Sequence, residues 1–77
     1  MSKNPNAEDK AILRYSGWMG HQVSVVGSMN GERRHLGETN TVDEALRLFG
    51  DYPATDITIY QRKKSGWRFH CRLLQLQ

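Results

Sequence analysis

The sequence predicts a small α+β domain, in which one helix packs on one face of an antiparallel sheet. Residues 41–53 have the apolar spacing and the end signals of a helix. The segments on both sides alternate apolar and polar residues as strands do, and each contains a glycine-bearing turn signal. The predicted order is therefore β-β-α-β-β, and a short extra element at the N-terminus stays open.

The chain of 77 residues is long enough for one domain with a thin core. Residues 1–10 are polar and lack periodicity, so we expect a mobile tail there and a single domain over residues 11–77. Asn6 could cap a short helical turn that includes Asp9, although so short a helix is marginal by itself. Residues 11–15 are compatible with that turn or with a short strand.

A first hairpin is predicted over residues 18–38, around the Asn-Gly pair at 30–31. This pair favours a type I′ turn, because both central residues of that turn have positive φ. The resulting register places Val25 opposite Leu36, on an apolar face that packs under the helix. The other face carries Ser24, Val26, Ser28, Arg33 and His35.

The helix is predicted to begin at Thr41, whose hydroxyl can accept a hydrogen bond from the free backbone amide three residues on. Glu44 stands where its carboxylate can reach back and complete a capping box. Gly50 can adopt the left-handed conformation that ends a helix, and Pro53 prevents its continuation. The apolar face, spaced i, i+3, i+4, i+7, consists of Val42, Ala45, Leu46 and Phe49.

A second hairpin is predicted over residues 56–75, and the length of its turn decides which side chains share a face. A three-residue turn that ends with Gly66 in a positive-φ conformation places Ile59 opposite Cys71. A four-residue turn would put the apolar side chains on opposite faces, so burial favours the shorter turn. The predicted core face consists of Ile57, Ile59, Trp67, Phe69, Cys71 and Leu73, and the outer face of Thr58, Tyr60, Arg62, Arg68, His70 and Arg72.

Positive charge is concentrated at the C-terminal end. The net charge is +3, yet residues 57–77 carry five Arg or Lys and no acid, whereas residues 38–56 carry one basic and five acidic groups. Flat rings beside cations suit single-stranded nucleic acid, and a basic hairpin can also enter a DNA groove. We therefore predict a binding module that contacts nucleic acid through the open sheet face; a merely solvated surface is the alternative. The predicted contact residues are Tyr60, Arg62, Lys63, Lys64, Arg68, His70 and Arg72, extended by Arg33 and His35.

Other classes of function lack their residue patterns. One cysteine forms no internal disulfide, which suits a reducing cytoplasm. We expect no membrane span and no secretory leader, because no apolar run approaches the necessary length. The histidines and the cysteine lack ligand spacing, and no nucleophile elbow or phosphate loop occurs, so we expect no metal, cofactor or catalytic centre.

Part of the chain resembles known DNA-binding domains. A hairpin, a Leu-Gly pair and a Thr-x-x-Glu-Ala helix are formed by Trp18, Gly31, Arg33, Leu36, Gly37, Thr41, Glu44 and Ala45. This pattern, over about half the chain, is similar to plant AP2-type domains and to the arm-binding domains of phage and transposon integrases. The resemblance implies a sheet against DNA with a helix behind it; the basic hairpin after the helix departs from the pattern.

Two other kinds of partner remain open. The basic face could meet an acidic patch on another protein, as in an accessory or inhibitor protein. Small phage and mobile-element proteins that inhibit host defences have a similar size and layout. A homodimer that buries a sheet edge or face would also compensate for the thin core.

Overall fold

The computed structural model describes residues 6–17 and 20–73. In the described residues, the order of elements is α1 (Ala7–Leu13), β1 (Val23–Met29), β2 (Glu32–Thr39), α2 (Val42–Phe49), β3 (Thr55–Lys63) and β4 (Gly66–Leu73). The strands form one antiparallel sheet in the order β2-β1-β3-β4. The predicted α+β fold is confirmed, and the element left open before the first hairpin is a helix.

The helix α1 corrects part of the expected N-terminal tail. Asn6 caps this helix, because its side-chain oxygen accepts a hydrogen bond from the backbone N–H of Asp9 at 2.8 Å. Residues 6–10 therefore belong to the folded domain, while residues 1–5, the rest of the predicted tail, lie outside the described residues. The ambiguous segment over residues 11–15 continues the helix as far as Leu13.

The helix α2 forms where it was predicted. The hydroxyl of Thr41 accepts a hydrogen bond from the backbone N–H of Glu44 at 3.1 Å. The Glu44 carboxylate reaches back one residue further than a capping box requires, to the backbone N–H of Asn40 at 3.1 Å. Gly50 ends the helix in a right-handed conformation, with φ −61° and ψ −34°, and not in the expected left-handed one.

The first hairpin has the predicted turn and a different register beyond it. Both turn residues, 30–31, have positive φ, at 54° and 82°. Val25 pairs with Gly37 instead of Leu36, because Leu36 is the extra residue of a β-bulge. A side chain at position 37 would collide with the ring of Phe49, so α2 lies directly against the backbone there.

The register of the second hairpin shifts within the strands, between Ile59 and Tyr60, and not at the turn. Ile59 pairs with Cys71, as predicted. The turn contains only two residues, one fewer than expected, and Tyr60 pairs with Phe69. His70 is therefore the extra residue of a β-bulge that interrupts the alternation of side chains.

This bulge corrects the predicted faces of the hairpin. Trp67 and Phe69 lie on the same face as Tyr60, and not on the core face with Cys71. Arg68 lies on the opposite face, towards α2. Residues 57–60 are all buried, so β3 must supply side chains to a covered surface on each side of the sheet.

Both faces of the sheet are covered, which corrects the predicted open face. On the α2 side, the buried cluster consists of Val23, Val25, Ala45, Ala54, Ile57 and Ile59. On the α1 side, the buried cluster consists of Leu13, Val26 and Tyr60. Cys71 packs against the first cluster, as predicted, and burial raises the pKa of its thiol above the usual value.

Candidate nucleic-acid interface

The structure divides the predicted contact residues into two groups. Those on the α1 side of the sheet are held in contacts within the protein: Arg33, His35, Tyr60, Arg62 and Arg72. Those at and near the end of the second hairpin are Lys63, Lys64 and His70, which are exposed, and Arg68, which is half-buried.

Arg33 uses all five of its N–H donors within the protein. Its Nε donates to Oδ1 of Asp9 at 3.0 Å, and its Nη2 donates to Oδ2 of Asp9 at 2.7 Å. The other three bonds reach the hydroxyls of Thr58 and Ser28 at 3.0 and 3.1 Å and the carbonyl of Asp56 at 2.6 Å. The hydrogen bond with Asp9 raises the pKa of Arg33. Arg33 therefore has no donor left for a phosphate, which corrects its predicted place on an open face.

Tyr60 is only 2% exposed and cannot present its ring to a ligand. Its hydroxyl donates a hydrogen bond to Oδ2 of Asp9. The Asp9 side chain is itself 1% exposed, so this carboxylate is neutralised entirely within the protein. We call Asp9, Arg33 and Tyr60 the Asp9 cluster; it fastens α1 to the sheet.

The Asp9 cluster predicts a response to alkali. Burial, together with the hydrogen bond to Asp9, raises the pKa of Tyr60. The folded-state pKa of Tyr60 exceeds the unfolded value of ~10. The buried, protonated hydroxyl therefore contributes its full stability below pH ~10, and this contribution is lost as the pH rises towards the folded-state pKa. We expect one phenolate to form late in a spectrophotometric titration, and Tyr60→Phe should remove that late step. A titration unchanged by Tyr60→Phe would contradict the buried position.

Arg72 is engaged but exposed. Its Nε donates a hydrogen bond to Oδ1 of Asp56, and this bond lowers the pKa of the Asp56 carboxyl. Nη1 of Arg33 lies 3.6 Å from the other carboxylate oxygen. Asp56 has a φ of 51°, an uncommon backbone conformation that an aspartate tolerates. An exposed ion pair of this kind contributes little to stability, so Arg72 could leave Asp56 for another anion at little cost.

Arg62 and His35 also have partners on the α1 side. The guanidinium carbon of Arg62 lies 5.0 Å from the centroid of the Trp67 ring, at cation–π distance. A side chain at position 17 would collide with the Arg62 guanidinium, so the Gly17 backbone lies against it. His35 Nε2 lies 3.1 Å from the hydroxyl of Ser24.

The second hairpin extends beyond its neighbour β1. The pairing of β3 with β1 ends at Gln61 and Val23, after which the backbone N–H of Arg62 donates to the carbonyl of Gln22 at 2.8 Å. Beyond Arg62 the two strands pair only with each other, and we call residues 62–70 the hairpin tip.

A groove of about 620 Å³ lies on the hairpin tip, and we call it the tip groove. It is lined by Gln61, Lys63, Ser65, Arg68, Phe69 and His70. The lining contains three basic side chains and no acidic one. Arg68 uses one donor group, Nη1, for the carbonyl of Trp67 at 3.1 Å. Its remaining donors can meet an anion.

The tip groove brings together predicted and unpredicted residues. Lys63, Arg68 and His70 were predicted as contacts, although on a different surface. Phe69 was expected in the core, and Gln61 was not singled out. The even alternation of the strand gave no sign of the bulge at His70, because a bulge depends on what covers the two faces of the sheet.

Neither helix in the described part of the chain has the length and apolar character to cross a membrane. Across residues 6–17 and 20–73, no three His, Cys, Asp or Glu side chains are grouped to hold a metal ion. Trp18, part of the resemblance to AP2-type and integrase domains, lies outside the described residues. Comparisons with family models, curated proteins and solved structures found no match to this chain, so that resemblance stays a prediction.

Proposed function

We propose that this domain is a non-enzymatic module that binds nucleic acid through the tip groove. The observation that carries the proposal is the separation of two sets of basic side chains. Arg33 and Arg72 face carboxylates within the protein, whereas Lys63 and Arg68 line one groove, beside His70 and without an acidic neighbour. Cations in such a groove can replace the counterions of a phosphate backbone, which favours binding at low salt.

The individual side chains suit this ligand. The planar guanidinium of Arg68 can donate two parallel hydrogen bonds to one phosphate, while Lys63 and Lys64 supply mobile point charges. The amide of Gln61 can both donate to and accept from the edge of a base. A location in the cytoplasm, suggested by the single free thiol of Cys71, forms part of the same proposal.

The double variant Lys63→Gln/Arg68→Gln tests this proposal. Its affinity for labelled oligonucleotides, measured by fluorescence anisotropy over a range of salt concentrations, should fall. The slope of log K against log salt should become shallower by roughly 1.4–1.8, since each lost phosphate contact removes about 0.7 for a single strand or 0.9 for a duplex.

The matched control is Arg34→Gln/Arg47→Gln, which removes the same charge from exposed positions on β2 and α2. Its salt dependence should stay close to that of the original protein. Equal weakening by both double variants would show that net charge alone is responsible. Absence of binding to any oligonucleotide at low salt would refute the proposed function.

A second candidate is a protein-binding accessory or inhibitor, of the kind found in phages and mobile elements. A groove of about 470 Å³ between α1 and β2 favours it, because Tyr15 is exposed there beside Ile12. Arg34 and His35 at the same groove would suit an acidic protein surface. Affinity capture with and without nuclease separates the two candidates. Light scattering tests the further alternative, a homodimer through an outer strand of the sheet.

A further inference from the structure

We infer that the tip groove takes an unpaired stretch of DNA or RNA, with a base stacked on Phe69 and its phosphate held between Lys63 and Arg68. This inference rests on the proposed function and specifies the class of nucleic acid. It depends on three features of the tip: an exposed aromatic ring, the way that ring is held, and a groove lined by both the ring and the cations.

Phe69 is 41% exposed, so part of its ring is accessible to a ligand. Its side chain lines the tip groove and also the cleft of about 400 Å³ beside the Asp9 cluster, so it stands between two depressions. A duplex hides the faces of its bases in the stack and presents only their edges in the grooves. A protein ring can therefore stack only on a base that is unpaired.

The ring of Phe69 is held in place by a neighbour that is itself fixed. The centroids of Phe69 and Tyr60 are 6.5 Å apart, and their planes meet at 86°, an edge-to-face contact. Such a contact uses at most one face of Phe69. The hydroxyl of Tyr60 is in turn bonded to Asp9. A ring that is positioned before binding loses little conformational freedom when a base stacks on it.

The tip groove draws its lining from both faces of the hairpin. Lys63 and Arg68 belong to the α2 side of the sheet, and Phe69 belongs to the α1 side. On that α1 side, the guanidinium of Arg62 lies on Trp67 and against the backbone of Gly17. The groove has a volume of about 620 Å³, within the ~300–1,000 Å³ range of sites for small organic ligands. That size suits a nucleotide unit of a flexible strand.

The test compares labelled single strands of DNA and of RNA, each about 12 nucleotides long, with the corresponding duplexes at one salt concentration. We expect the single strands to bind more tightly than the duplexes. Phe69→Ala should weaken single-strand binding by about 5- to 150-fold, the range for one stacked base, without weakening duplex binding comparably. Phe69→Trp should retain the affinity, and Leu48→Ala, at an exposed leucine on α2, serves as the control.

Circular dichroism establishes that each variant is folded. If Phe69→Ala is not, Phe69→Leu removes the ring while keeping an apolar side chain, and the same loss is expected. Equal affinity for single strands and duplexes, with no effect of Phe69 variants but normal salt dependence, would overturn this inference and leave the proposed function standing. No binding to any of the four nucleic acids would overturn both.

Discussion

Replacing Asp9 with alanine should lower the free energy of unfolding by about 3–5 kcal/mol, the range for removing one partner of a buried ion pair. The variant leaves the Arg33 side chain, which is 11% exposed, with a positive charge and two unused donors. It also removes the acceptor of the Tyr60 hydroxyl. A 77-residue domain has only roughly 4–12 kcal/mol of stability in total, so much of the population could unfold. Urea unfolding followed by circular dichroism measures the change.

Two further variants make this expectation specific. Glu8→Ala removes an exposed carboxylate from the same helix and should change the stability by less than about 0.5 kcal/mol. The double variant Asp9→Leu/Arg33→Met should recover most of the loss, because apolar side chains of similar volume can replace a buried ion pair. If Asp9→Ala cost no more than Glu8→Ala, the Asp9 cluster would contribute nothing to stability.

The second large effect is expected at Ile59, which is fully buried in the middle of the sheet. It pairs with Val25 on one side and Cys71 on the other, so the neighbouring strands leave little room for the site to collapse. Ile59→Ala should cost about 2–5 kcal/mol, and Ile59→Val about 0.5–1.5 kcal/mol.

Urea unfolding of this pair of variants should show the graded loss. Leu48→Ala, at a side chain that is 60% exposed, should cost much less, and it controls for a change of the same kind on the surface. Equal effects of Ile59→Ala and Leu48→Ala would place Ile59 outside the core, contrary to the structure.

Local signals were sufficient for much of the fold. The cap at Thr41, the Asn-Gly turn and the pairing of Ile59 with Cys71 all depend on residues near one another in the chain or on a simple apolar alternation. The helix α1 was left open because its stability depends on a partner 24 residues away, Arg33. An isolated helix of seven residues has little stability of its own, so propensity could not identify it.

A second signal for α1 was present in the sequence. Asp9, Ile12 and Leu13 follow helical spacing, and the strand segment Val-Ser-Val-Val at residues 23–26 has too few polar positions for a sheet with one face in water. Together they indicate a cover on the second face. The covered face removes Tyr60 from the surface and leaves the basic residues beyond it.

The sequence predicted which basic residues belong to the candidate site, but not the surface on which they lie. The basic character of the second hairpin is evident from the sequence, whereas the placement of Lys63 and Arg68 on one face requires the bulge at His70. A single extra residue exchanges the two faces of a strand, and alternation alone cannot show in which strand that residue falls.

All five N–H donors of Arg33 are used within the protein, and this also constrains which substitutions the sequence can accept during evolution. A substitution at Asp9 leaves the positive charge of Arg33 without its partner, and a substitution at Arg33 leaves the negative charge of Asp9 without its partner. Substitutions at the two positions should therefore occur together. Distant homologues are then best sought by covariation: Asp, Arg and Tyr retained together at the equivalents of positions 9, 33 and 60, or exchanged together for apolar residues.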